Sequence, residues 1–157
     1  YQPGSFAKWA KAQADDYEKK YPATRVPFVR AEVVEGEGTD VRCPTLDEAR
    51  EAKRPVLVYF GREEREGQAR KLRGEVKASR KLEKSALDSK KAAEAAEGWI
   101  LLRFDLGDEL QARFAASLGV EKAPALVLFA PGAEAGEVLK SRMTGASLAD
   151  LLEKHGD

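Results

Sequence analysis

Few residues of this chain have side chains suited to chemistry. In 157 residues there is one cysteine, Cys43, and one histidine, His155. A lone thiol excludes an intramolecular disulfide and a cysteine-based zinc cluster. A lone histidine argues against a histidine metal site or a catalytic triad. The acidic pairs Asp15 with Asp16 and Asp105 with Asp108 lack the His or Cys company of a metal site, and read as surface residues or helix caps. No catalytic residue, metal or cofactor is expected. Cys43 precedes Pro44 at the start of a predicted helix and reads as a small buried hydrophobe or an idle thiol. A redox role or an intermolecular disulfide is the alternative for it.

The other candidate site is a run of positive charge. Nine bases lie between Arg70 and Lys91, against Glu75, Glu83 and Asp88. Arg70, Arg73, Lys77, Arg80, Lys81 and Lys84 recur every three to four residues, which predicts a basic stripe along one helical face. A solvated helix face is the plain reading, and contact with an acidic protein or a phosphate-rich surface is the functional one. No aromatic residue interleaves the run, so stacking on single strands is not supported.

Composition narrows the classes. Lys+Arg and Asp+Glu both total 27, so the net charge is zero and bulk attraction to nucleic acid or anionic membrane is not expected. No apolar run approaches the roughly 18 residues of a membrane span. The start at Tyr1 in place of Met leads us to expect an exported location, periplasmic or secreted, over a cytoplasmic one. A protein partner is expected, but neither its identity nor an oligomeric state follows from these residues.

The elements that must position these residues follow from apolar patterning. Residues 1–24 read as an N-terminal helical arm: Phe6, Trp9, Ala10 and Tyr17 fit one amphipathic face, Ser5 caps it and Pro22 ends it. Residues 25–157 read as one domain. Arg25 to Val34 is extended, and Glu35 to Asp40 forms a turn. Thr45 and Glu48 have the spacing of a capping box for a helix running to about Lys53. Pro55 to Phe60, Trp99 to Phe104 and Ala125 to Phe129 are continuous apolar runs, the pattern of strands buried on both faces. Between the first two, Arg62 to Glu97 is polar and helix-prone, interrupted by Gly67 and Gly74. A helix opened by Gly107 and Asp108 carries Leu110, Phe114 and Leu118. Glu137 to Met143 fits a hairpin strand, and Ser147 caps a terminal helix with Leu148, Leu151 and Leu152. Trp99, Phe60 and Phe104 belong in the core. Strands alternating with helices imply crossovers onto a parallel sheet, and the late hairpin adds an antiparallel edge.

This order, with Pro124 leading the third buried strand behind Gly119 and Val120, resembles the thioredoxin superfamily. Asp105 resembles the Asp that closes the strand after the long helix, and Gly145 the closing glycine. Arg80 to Lys84, then Leu87 to Ser89, are similar to relatives whose helix reads Cys-x-x-Cys-Lys-x-Leu-Glu-Lys before a Ser-Asp break. The resemblance covers about residues 45–155. It implies a three-layer α/β/α fold with a mixed central sheet and a cis Ala123–Pro124 bond.

The resemblance also says what is missing. Disulfide exchange needs a thiolate at a helix N-terminus and a resolving thiol beside it. Counting back from Arg80, the family cysteines fall on Val76 and Ser79. An alternative alignment, with the site at Gly61 to Gly67, contains no cysteine either. The implied groove comprises Val76, Lys77, Ala78 and Ser79 with Ala123 and Pro124, where Ala123 would pair with an extended protein partner. About ten extra charged residues around Arg62 to Arg73 either lengthen the helix or loop over that groove. The expectation is a redox-inactive interaction or structural module. A thiol-dependent oxidoreductase acting through Cys43 or a partner's cysteine, and a polyanion binder using residues 70–91, are the alternatives.

Overall fold

A computed structural model describes residues 24–36, 41–133, 135–139 and 143–155. The expected helical arm, with Trp9, Tyr17, Asp15 and Asp16, lies outside the described residues, apart from Thr24. So do residues 37–40 of the expected turn and residues 140–142 of the expected hairpin strand.

The three apolar runs form the centre of the fold. Strands β4 (Val56–Gly61), β5 (Ile100–Asp105) and β6 (Ala125–Phe129) are buried nearly throughout. With β1 (Val29–Arg30) and β7 (Glu137–Leu139) they build a five-stranded sheet of order β1-β5-β4-β6-β7. β1, β5 and β4 are parallel. β6 runs antiparallel to β4, and β7 antiparallel to β6. The sheet is thus mixed, as the resemblance implies; apolar patterning alone, which confines antiparallel pairing to the late hairpin, is corrected for the β4–β6 pair. Ala125 pairs with Phe60 and Phe129 with Val56, so β6 enters where β4 leaves and must run back along it. A two-stranded ribbon of β2 (Val34–Glu35) and β3 (Val41–Arg42) stands apart, a feature that apolar patterning does not predict.

Alternation along the strands divides the core into two layers. Val56, Val58, Phe60, Leu102, Phe104 and Val127 face helices α1 (Pro44–Glu51) and α4 (Glu109–Ser117). There Phe104 packs against Phe60 and Phe114, with ring centroids 5.4 Å and 5.3 Å apart. Leu57, Tyr59, Leu101, Leu126 and Leu128 face α2 (Arg70–Leu82), a π turn (Glu83–Leu87), α3 (Lys90–Ala95) and α5 (Gly145–His155). The result is three layers, helices on both faces of one sheet.

Several helix ends differ from expectation. α1 starts at Pro44, with Cys43 at its N-cap and no side-chain cap, so Thr45 and Glu48 lie inside the helix and form no capping box. Proline needs no N–H partner at a first helical position, which is why the helix begins there. Gly74 does not interrupt α2, which runs on through it to the buried residues Val76, Ser79 and Leu82. α5 begins two residues before Ser147, and Thr144 accepts the Ser147 N–H. Asp108 caps α4 through the Gln111 N–H, as read from the sequence.

Candidate functional site

The site expected from the sequence lies where β4 and β5 end, at Gly61 and Asp105. Residues 62–69 leave β4 as a loop, and α2 starts only at Arg70, with Ala69 at its N-cap and no acid in its first turn. The charged surplus is therefore divided: residues 62–69 form a loop, and Arg70 to Arg73 lengthen the helix. Val76 and Ser79 consequently sit inside α2, well past its N-terminus. That corrects the expectation of a helix mouth at these positions. Free N–H groups and the positive end of the helix dipole belong to its first turn.

Both side chains point into the protein. Val76 is buried, and Ser79 is fully buried. The Ser79 hydroxyl donates to the Glu75 carbonyl at 2.8 Å and accepts the Arg62 N–H at 3.2 Å, and the Tyr59 hydroxyl donates to the Ser79 carbonyl at 3.4 Å. Lys77 and Ala78 are exposed, Ala123 is buried and Pro124 is half-buried; the Ala123–Pro124 bond is cis. The Ala123 N–H, expected to await a partner chain, donates instead to the Glu75 carboxylate at 2.9 Å. The same oxygen, Glu75 Oε1, accepts from Arg62 Nε at 3.2 Å.

Beneath this lies a closed ring of four charges. Glu63 accepts from Arg80 at 2.7 Å and from Arg103 at 3.0 Å. Glu83 accepts from Arg103 at 2.7 Å and also pairs with Arg80. Signs alternate around the ring and cancel. Glu63, Glu83 and Arg103 are buried, and the Arg103 guanidinium stacks 5.2 Å above the Tyr59 ring. Burial raises the Glu83 pKa above the ordinary carboxylate range, against the pull of Arg103 and Arg80. Burial alone would lower the Arg80 pKa, but the Glu63 hydrogen bond and the charges of Glu83 and Glu63 raise it. Burial also raises the Tyr59 pKa, with the Glu83 charge adding to it.

The loop is tied down beside the ring. Asp105 Oδ1 accepts the N–H groups of Glu63 and Gly107, at 3.2 Å and 2.9 Å, and Oδ2 accepts from Arg65 at 2.5 Å. Asp105 is thus buried, correcting its reading as a surface residue or cap. Its side chain replaces water for a loop whose own backbone has few partners.

No family model matches this chain, and no curated protein does. Solved structures do. A thioredoxin from Thermus thermophilus superposes with a TM-score of 0.52 at 18% identity, covering 69% of this chain and 78% of its own. A mutant thioredoxin from Halobacterium salinarum superposes with a TM-score of 0.50 at 22% identity, covering 86% of this chain and 96% of its own. The fold is thioredoxin-like. This thioredoxin-like chain has a single cysteine and hence no Cys-x-x-Cys pair.

That cysteine lies at the N-cap of α1. Cys43 is buried in the layer under α1, and burial raises its thiol pKa despite the nearby backbone N–H groups of Leu46 and Thr45. Of the expected basic stripe, Arg70, Arg73, Lys77, Lys81 and Lys84 are exposed together with Lys71. Arg80 is not part of it, because its guanidinium turns inward to Glu63 and Glu83.

Sequence reasoning missed Arg62, Glu63, Glu75, Glu83 and Arg103, which tie the loop after β4 to α2, to β5 and to the Ala123 N–H. One signal was available. Arg103 interrupts a strand otherwise apolar on both faces, and a buried guanidinium requires carboxylates around it.

Proposed function

We propose that this chain is a redox-inactive thioredoxin-like module that serves in protein interaction or as a structural part. The reading rests chiefly on Ser79. At a position that the resemblance gives to a cysteine, a fully buried side chain has its donor and its acceptor both satisfied within the protein. Disulfide exchange needs an accessible thiolate favoured by positive potential. Here the accessible helix start has moved to Arg70, and no sulfur lies there. Burial of Cys43, with its raised thiol pKa, adds support by disfavouring a thiol-dependent alternative.

The test is insulin reduction with dithiothreitol, run on the wild type and on V76C/S79C. The wild type is expected to add nothing to the dithiothreitol background. The double variant is expected to stay inactive too, because its thiols would lie inside the helix and beneath Arg62. Turnover by the wild type would end the reading. Activity in V76C/S79C would show that only sulfur is missing, and that the buried geometry is not the obstacle.

A further inference from the structure

Charge in the helical layer carrying α2, α3 and α5 is sorted by face. Along α2 and the π turn, Glu75, Glu83 and Arg80 turn inward, each held by a partner. The charged side chains left outside are all cations: Arg70, Lys71, Arg73, Lys77, Lys81 and Lys84. Among the described residues none of the six forms an ion pair.

The same layer holds the opposite sign. α3 and α5 pack together over Ala92, Ala96, Leu148 and Leu152, and an open groove of about 580 Å³ runs between them. Its rim carries Glu94, Glu97, Asp150 and Glu153, with Lys91 as the single cation. These four carboxylates are exposed, and none is ion-paired among the described residues. Small side chains such as Ala95 and Ala149 line the groove, so a helix from outside meets little steric resistance. Among the described residues, a chain of zero net charge thus presents, on one side of its sheet, a cationic face and a groove rimmed mainly by carboxylates, neither of them ion-paired.

We propose that two copies of this chain pair through that layer, the cationic face of α2 on each copy seated over the acidic α3–α5 groove of the other. A polyanion would answer the cationic face and be repelled by the groove, whereas a second copy answers both. Because both faces lie on one side of the sheet, a single two-fold axis forms both contacts at once and closes the assembly. Exposed ion pairs contribute little one by one and are screened by salt, so the dimer is weak and salt-sensitive. Its charge pattern fixes register and encounter rate more than affinity.

Sedimentation equilibrium of the full chain tests this. A dimer is expected at low salt, its dissociation constant rising at least about tenfold as ionic strength goes from about 50 to 500 mM. R73E/K77E/K81E and E94K/D150K/E153K change only exposed side chains, and circular dichroism verifies that each folds. Each variant alone is expected to be monomeric, and their equimolar mixture to regain a dimer, since the altered charges complement one another. A wild type monomeric at low salt and several hundred micromolar would overturn the proposal. So would a dimer indifferent to salt, a mixture that stays monomeric, or a mass that climbs past the dimer. Retention on heparin without self-association would give the cationic face to a polyanion and reject the pairing. The insulin assay above is independent of all these outcomes.

Discussion

The carboxylate of Glu75 accepts the backbone N–H of Ala123 at 2.9 Å, across 48 residues of sequence. One acidic side chain on α2 therefore occupies the peptide group that precedes Pro124, and Arg62 neutralises it from the other side. The helix extension that moved the N-terminus of α2 to Arg70 also delivers Glu75 to this point.

Removing that carboxylate leaves two donors unsatisfied. E75A is expected to lower unfolding free energy by about 1–3 kcal/mol, the range for leaving a buried hydrogen-bonding group unsatisfied. E75Q, which keeps an acceptor oxygen, should cost less. Amide hydrogen exchange reads the contact directly: Ala123 should exchange faster in E75A and stay protected in E75Q. Equal protection in all three proteins would show that Glu75 does not hold this N–H.

The charge ring predicts a pattern of non-additivity. R103L leaves Glu63 and Glu83 facing each other with one arginine, and should cost about 3–5 kcal/mol, as for the loss of one partner from a buried pair. R103L/E83Q leaves the neutral pair Arg80 and Glu63, and should cost clearly less than the sum of the single changes. Urea denaturation of the four proteins measures this. Simple additivity would mean that the ring does not act as a unit.

Glu83 gives the pH dependence its sign. Its folded-state pKa is raised, chiefly by burial, so the folded protein holds this proton more tightly than the unfolded chain does. Stability from this group is then fully present below the ordinary carboxylate pKa and is lost as pH rises through the raised value. Wild type is expected to lose stability relative to E83Q as pH goes from about 4 to about 7. Two parallel stability curves over that range would contradict a raised Glu83 pKa.

Two glycines should respond in opposite directions. Nothing lies within 4 Å of a side chain added at Gly74, which is exposed within α2. G74A is expected to stabilise by about 0.5–1 kcal/mol, through helix propensity and a less flexible unfolded chain. At Gly145 an added Cβ would collide with Oγ and Cβ of Ser89. Ser89 also caps α3 by accepting the Ala92 N–H. G145A should therefore destabilise by about 1–3 kcal/mol, from overpacking and a displaced cap. Thermal melts of both variants separate the two cases.

The layered fold was legible because its cause is local. Continuous apolar runs such as Val56 to Phe60, short and rich in β-branched and aromatic residues, read as strands buried on both faces, and the helices between them follow from spacing. The absence of a second cysteine was equally plain, since it needs only a count. The direction of each charge was not legible. Arg80 and Lys81 are neighbours of one sign, and periodicity places both on the stripe, yet Arg80 is drawn inward and Lys81 stays in water. What separates them is a carboxylate 17 residues away, Glu63, itself held by Arg103 across 40 positions. Local pattern decides which residues are buried as a face. Only the packed structure decides which charges find partners good enough to follow them inside.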